Sequence, residues 1–196
     1  MGYEERSHVW TGEQLSRILD NNRGEWMPKA PVIEALAPRP GQTIADVGAG
    51  LGWLSWPLAE AVGPSGHVWA IDPSAEAVQA LSEKALTHGV SQLQAVRAFA
   101  EAIPLPGDDV DGVVWHTVAL HMGDRVRAMA ETMRILKPGG FWVAVDWKIV
   151  PTPFGPPLHR RVSAEVLEKE ALTTGFRLVR RFEPGPVTWG LIFQKD

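Results

Sequence analysis

Cysteine is absent from the 196 residues, which removes disulfides, thiolate metal sites and thiol catalysis together and accords with a reducing compartment. Excess charge is also scarce. Nineteen Lys and Arg against 23 Asp and Glu leave a net charge of −4, so nothing recommends a nucleic-acid phosphate backbone as a partner. No apolar run reaches the roughly eighteen residues of a membrane span, and the polar start from Met1 to His8 lacks the apolar centre of a signal peptide. A soluble, cytoplasmic protein is expected. Tyrosine is reduced to one residue while tryptophan reaches nine. The length suits one domain that buries roughly 70% of its unfolded surface.

The densest signal present is the run Thr43-Ile44-Ala45-Asp46-Val47-Gly48-Ala49-Gly50-Leu51-Gly52, an apolar strand feeding a glycine-rich bend that opens a helix. Glycines suit a sharp strand-to-helix turn where backbone N–H groups come close to a ligand. About twenty residues on, Asp72 closes a second apolar strand, where an acid can accept hydrogen bonds from both ribose hydroxyls of an adenosine. Two cofactor classes share this geometry. The dinucleotide pattern wants a glycine where Trp53 stands, and its pyrophosphate would meet the carboxylate of Asp46. An acid two residues before the first glycine suits a cation instead.

Strand and helix patterns alternate along the chain, which predicts an α/β, Rossmann-like, doubly wound sheet of seven strands with helices on both faces. Strands are predicted at 43–48, 67–71, 92–97, 110–116 and 140–147, with helices at about 52–62, 74–88 and 124–136. Thr11 and Gln14 offer a capping box for a helix through about Asp20, and Pro28 can open another that ends near Ala37. Lys137-Pro138-Gly139-Gly140 should stop the helix before the fifth strand. A proline-rich connection at 151–157 follows, then a helix at about 163–174. Strands at 176–182 and 187–194 around Pro184-Gly185-Pro186 read as an antiparallel hairpin beside the five parallel strands. The whole of 1–196 is expected to form one domain, with a helical cap over 1–40, a cofactor-binding core over 41–147, and a loop, helix and hairpin over 148–196.

The DxGxGxG run resembles motif I of the class I S-adenosylmethionine-dependent methyltransferases. Residues 30 to 147 look like their small-molecule branch, near the ubiquinone and menaquinone methyltransferases and the broad methyltransferase-domain families. Ala98 to Pro106 followed by Asp111-Gly112-Val113-Val114 matches the adenine loop and fourth strand, and Arg134 to Gly140 matches the turn before the fifth strand. The resemblance implies S-adenosylmethionine as cofactor, S-adenosylhomocysteine as product and a small-molecule methyl acceptor, with no nucleic acid and no membrane span. A homo-oligomer is not readable.

Carried onto this chain, the resemblance places the backbone of Gly48, Ala49 and Gly50, with Gly52, under the methionine moiety and Asp46 near its ammonium. Asp72 and Pro73 fall at the ribose, and Phe99, Ala100 and Glu101 beside the base. Many relatives have an aspartate where Phe99 stands, so here either the backbone and Glu101 hold the adenine amine or Phe99 stacks on the purine. His116 and Thr117, at the carboxyl end of the fourth strand, fall where open sheets bind ligands.

Methyl transfer asks mainly for alignment and exclusion of water, with a base only where the acceptor starts protonated. His116, His121 and Asp146 are the catalytic candidates, with His159 as a further base. Each also has a plain structural reading, His121 as a hydrogen-bonding side chain and Asp146 as a group that steadies a loop or pairs with Lys148. His159, Arg160 and Arg161 read as a solvated basic face or as a grip on an anionic acceptor. No metal is expected, because His116, His121 and Asp146 lack ligand spacing on any one element. Trp69, Trp115 and Trp142 belong to the core, Trp10 and Trp26 to a lid, and Trp147 lies beside the site mouth with Pro153 and Phe154. Together they favour an apolar or aromatic acceptor. A cofactor-binding sensor without turnover and a nicotinamide-dependent reductase are the competing functions.

Overall fold

A computed structural model of the protein describes Gly2, residues 7–11, Glu13, Gln14 and residues 23–196. The capping box is formed, with the Thr11 N–H donating to Gln14 Oε1 at 2.9 Å and the Gln14 N–H donating to Thr11 Oγ1 at 3.3 Å. The remainder of that helix, to Asp20, lies outside the described residues. α1 (Arg23–Trp26) and α2 (Ala30–Leu36) then lead into the sheet. Pro31, not Pro28, occupies the first turn of α2, where its missing N–H costs nothing.

The core alternates β1 (Thr43–Val47), α3 (Ser55–Val62), β2 (His67–Asp72), α4 (Ala75–Thr87), β3 (Leu93–Arg97), β4 (Val110–His116), α5 (Arg125–Ile135) and β5 (Leu136–Trp147). It ends with α6 (Ala164–Thr173), β6 (Arg177–Gly185) and β7 (Thr188–Gln194). Ser74, Asp124 and Ser163 cap α4, α5 and α6 through side-chain oxygens that accept a backbone N–H. The sheet runs in the order β3-β2-β1-β4-β5-β7-β6, with β7 antiparallel between β5 and β6. This is the expected doubly wound architecture with its terminal hairpin.

Alternation along the strands divides the apolar residues into two cores. Ala45, Val47, Val113, Trp115, Trp142 and Ala144 point to one face. Ile44, Val114, Val143 and Val145 point to the other. On the first face the Trp142 ring lies 4.6 Å from that of Trp115 and stacks at 4.8 Å on Phe193. Trp69 is only partly buried, against His67 at 4.3 Å, so it lies at the margin of this core.

Three boundaries differ from the sequence expectation for identifiable reasons. α3 starts at Ser55 because Gly48, Gly50 and Gly52 all have positive φ and hold the chain out of the helical region. β5 begins at Leu136, directly after α5. Leu136 pairs with Val110, and the register then jumps to Phe141 on Gly112, so Lys137-Pro138-Gly139-Gly140 makes a bulge that Lys195 holds by backbone hydrogen bonds to Gly139 and Gly140. β6 runs through Pro184 and Gly185, which moves the hairpin turn to Pro186-Val187. A Cβ on Gly185 would come within 2.5 Å of the Trp26 carbonyl, so this strand end packs directly on backbone.

The strand order reverses between β1 and β4, and the carboxyl ends of these neighbours flank the crevice where open α/β sheets take ligands. Among the described residues no helix is long and apolar enough to cross a membrane.

Candidate active site

A cavity of about 450 Å³ opens at that crevice, within the usual range for small-molecule sites. Its floor is the bend after β1. Gly48 has φ 76° and Gly52 φ 85°, conformations that L side chains resist. Each glycine also meets a close neighbour. A Cβ on Gly48 would lie 2.3 Å from Val118 Cγ1, and one on Gly52 would lie 2.7 Å from Leu81 Cδ1.

Four N–H groups of the bend are engaged within the protein. Those of Gly48 and Ala49 both donate to the Ile71 carbonyl, at 2.8 and 3.1 Å, and that of Gly52 donates to Ala49 at 2.9 Å. The Gly50 N–H donates to Asp72 Oδ2 at 2.8 Å. The glycines are therefore needed for backbone conformation and for packing against the protein itself, which replaces the expected approach of N–H groups to a cofactor. With these donors engaged, the bend is not a diphosphate cradle.

Buried carboxylates line the same end. Asp46 is 3% exposed and Asp72 9% exposed. Asp46 Oδ2 accepts from the Ser55 hydroxyl at 2.6 Å, and Asp72 Oδ1 accepts from the Ser74 N–H at 2.9 Å. Burial raises the Asp72 carboxyl above its ordinary range, while the N–H groups of Ser74 and Gly50 pull it back. Each Asp72 oxygen retains a lone pair beyond its backbone bond, so the group can still accept from a diol.

The structure brings Gly48, Ala49, Gly50, Asp72, Pro73 and Phe99 to this cavity, along with Ala100, Glu101, His116 and Thr117. Gly52 does not line it and serves the packing of α3 on α4. Glu101 is buried, and its Oε1 accepts from the N–H groups of Gly123 and Asp124 at 2.9 and 3.0 Å and from the Ser7 hydroxyl at 3.4 Å. It thus fastens the loop after β3 to the start of α5 and to the N-terminal segment.

At the end of β4, His116 is 6% exposed and lines the cavity. The next residue, Thr117, has φ 59°, a strained value for a β-branched side chain, and its N–H donates to the Val145 carbonyl at 2.7 Å. The turn Ala119–His121 that follows is held from below by Asp146. This carboxylate is 1% exposed, lies outside the cavity lining, and accepts from the N–H groups of Ala119 at 3.1 Å and Trp147 at 2.7 Å. Burial pushes it up to about 7 against those bonds and against Arg125 and Arg161.

His121 does line the cavity. Its Nδ1 faces the indole N–H of Trp10 at 3.4 Å, and the His8 ring lies 5.6 Å away. Burial, His8 and Arg160 lower its pKa to about 4. At neutral pH the ring is uncharged, and a donor on Nδ1 assigns its proton to Nε2. In this arrangement His121 can donate a hydrogen bond but is a poor proton acceptor.

The far wall is apolar. Trp147 meets Phe154 edge-on at 5.7 Å, and a Cβ on Gly155 would press within 2.6 Å of the Trp147 ring. Trp10, Met27, Trp53, Trp147 and Phe154 all reach the cavity, whereas Trp26 stays behind Phe154 at 5.4 Å. Of His159, Arg160 and Arg161 only Arg160 lines the cavity. Ser7, His8, Met27 and Trp53 were not singled out as lining residues by sequence. Their places depend on long-range contacts such as the His8 N–H donating to the His121 carbonyl at 2.9 Å, for which no local pattern exists. His159 is exposed and lies off the cavity. Among the described residues no group of three or more His, Asp or Glu side chains is placed to hold a metal ion.

Residues 44–140 match the family described as "Methyltransferase domain". A ubiquinone/menaquinone biosynthesis C-methyltransferase of Bordetella parapertussis is 33% identical over 128 residues, covering 65% of this chain and 49% of that one. An uncharacterized transposon protein of Streptomyces fradiae is 34% identical over 61% of this chain and 34% of its own length. The chain thus spans between a third and a half of these curated relatives. A crystal structure of an S-adenosylmethionine-dependent methyltransferase from Aquifex aeolicus superposes with a TM-score of 0.89 at 25% identity, covering 95% of this chain and all of that one. Fold, glycine bend and sequence matches agree that residues 44–140 form a methyltransferase domain with the class I S-adenosylmethionine-dependent architecture.

Proposed function

We propose that the protein transfers a methyl group from S-adenosylmethionine to a small acceptor with an apolar or aromatic body, by in-line displacement. The observation that carries this reading is the pairing of buried carboxylates, Asp46 and Asp72, with a bend whose N–H groups are already engaged. Such a floor favours a ligand with ammonium and sulfonium charges and disfavours a diphosphate.

In this reading Asp46 faces the ammonium, Asp72 accepts from the ribose hydroxyls, and Phe99 and Ala100 flank the base. When bound, the cofactor supplies an electrophilic methyl group on a sulfonium that departs as a neutral thioether. Any proton the acceptor carries would pass to a base of this chain. His116, buried at the cavity wall, is assigned that proton, since the Nδ1 of His121 faces the Trp10 indole. Asp146 acts as a positioning residue by holding the backbone N–H groups of Ala119 and Trp147. The strap carrying Ser7, His8 and Trp10 and the walls from Trp147 and Phe154 exclude water from the reacting atoms.

Calorimetry with S-adenosylmethionine, S-adenosylhomocysteine and NADH tests the cofactor. Binding of the first two without NADH is expected, and NADH binding in their place would overturn the reading. Release of S-adenosylhomocysteine in the presence of phenols, amines and quinols then tests turnover.

A further inference from the structure

His159, Arg160 and Arg161 are adjacent in sequence but do three different things. Arg161 is 8% exposed and spent on its own loop. Its guanidinium donates to the carbonyls of Lys148, Val150 and Pro156 and to Thr152 Oγ1, at 2.6 to 2.9 Å, and lies 4.9 Å from the centre of the Trp147 ring. His159 faces solvent away from the cavity. Arg160 is exposed too, but it lines the cavity, and among the described residues its guanidinium forms no hydrogen bond or ion pair. Its charge reaches the site, being one of the influences felt by the His121 ring.

The cavity is therefore polarised. Asp46 and Asp72 lie at the glycine-bend end, and Arg160 follows Pro156 and Pro157 in the loop that also carries Phe154. We propose that the methyl acceptor carries an oxyanion, carboxylate or phosphate, on its apolar or aromatic body, and that Arg160 binds this group at the cavity mouth. The proposal rests on the methyltransferase reading above. A guanidinium presents a planar fork that matches either oxyanion. A cationic acceptor would be repelled by Arg160 and would compete with the cofactor's ammonium for the acidic end. A neutral acceptor would leave the exposed guanidinium to water and gain nothing from it. Anchoring the anion at the mouth would also fix which end of the acceptor points inward to the methyl group.

The test uses matched acceptors on the full chain: 4-hydroxyphenylacetate with its methyl ester, indole-3-acetate with indole-3-acetamide, and 4-hydroxyphenyl phosphate with hydroquinone. For each, kcat/KM is read as S-adenosylhomocysteine release by the parent, Arg160→Gln and Arg160→Lys, with calorimetric S-adenosylhomocysteine binding as the check on fold. At least one anionic member should exceed its neutral partner by tenfold or more in the parent. That ratio should collapse toward one in Arg160→Gln and recover in part in Arg160→Lys. The carboxylate and phosphate pairs identify which oxyanion is read. Equal or better use of the neutral members, a ratio unchanged in Arg160→Gln, or no turnover of any anionic member by cofactor-competent protein would overturn the proposal. Failure of the parent to bind S-adenosylhomocysteine would instead overturn the methyltransferase reading on which it rests.

Discussion

The Gly50 amide donates to Asp72 Oδ2 at 2.8 Å, joining two residues 22 apart in sequence and tying the bend after β1 to the carboxyl end of β2. Asp72 Oδ1 simultaneously caps the turn into α4 through Ser74. The carboxylate assigned to the ribose is thus also the brace of the floor beneath it. Asp72→Ala should lower S-adenosylhomocysteine affinity by more than tenfold in calorimetry. It should also lose about 1–3 kcal/mol of stability in denaturant titrations, because buried N–H groups lose their acceptor. Unchanged affinity would refute the ribose assignment.

Asp146 makes stability depend on pH. Its folded value of about 7 lies above the ordinary 3.8 because burial disfavours the charge. The folded state then binds the proton more tightly than the unfolded state, so this group's contribution is present at low pH and lost as pH rises through about 7. The full swing is on the order of 4 kcal/mol. Asp146→Asn should lower stability overall, since its NH₂ group must face one of two backbone donors. It should also flatten that decline, as read from the midpoint of urea unfolding between pH 4 and pH 8.

His121 acts with the opposite sign. Its folded value of about 4 lies below the ordinary 6.5, so its contribution is present above pH 6.5 and lost as pH falls toward 4, over a range of ~3 kcal/mol. In His121→Gln this acid-side loss should largely disappear. If the parent and the variant lose stability in parallel below pH 6, the ring is not buried neutral and the tautomer assignment fails with it.

Gly48 and Val118 connect the bend to the loop after β4. Gly48→Ala places a Cβ 2.3 Å from Val118 Cγ1 at a φ of 76°, which should cost at least ~2 kcal/mol from overpacking and strain combined. Adding Val118→Ala should restore part of this but not all, because the backbone strain remains. A double mutant no more stable than Gly48→Ala would show that the steric contact is not the cause.

The choice of base is tested by comparing His116→Gln with His121→Gln. With a phenolic acceptor, kcat should fall by about 10²-fold or more in the first, the usual scale for losing a general base. The second should retain kcat to within tenfold. A reversed order would exchange the two roles.

The order of strands and helices was legible because it depends on local patterns: two-residue alternation, turn residues, and side-chain caps such as Ser74 and Ser163. The same holds for Asp46 and Asp72, whose distance from the glycines is set along the chain. The start of β5 at Leu136 was less legible, since strong helix breakers mark where a helix stops but not where the following residues find partners. Here Lys195, distant in sequence but adjacent in space, supplied them.

The amino-acid sequence by itself determined the α/β framework, the crevice between β1 and β4 and the acidic character of its floor, because these follow from local periodicity, spacing and residue chemistry. Only the tertiary structure decided that the bend turns its N–H groups onto Ile71 and Asp72, that Glu101 braces three segments, and that His121 presents Nδ1 to Trp10. It alone separated a spent Arg161 from an Arg160 that lines the cavity. The physical reason is common to all of these. Which partner a donor finds, and how far a charge is removed from water, depend on residues distant in the chain, and adjacent side chains of the same type carry no mark of which will be buried.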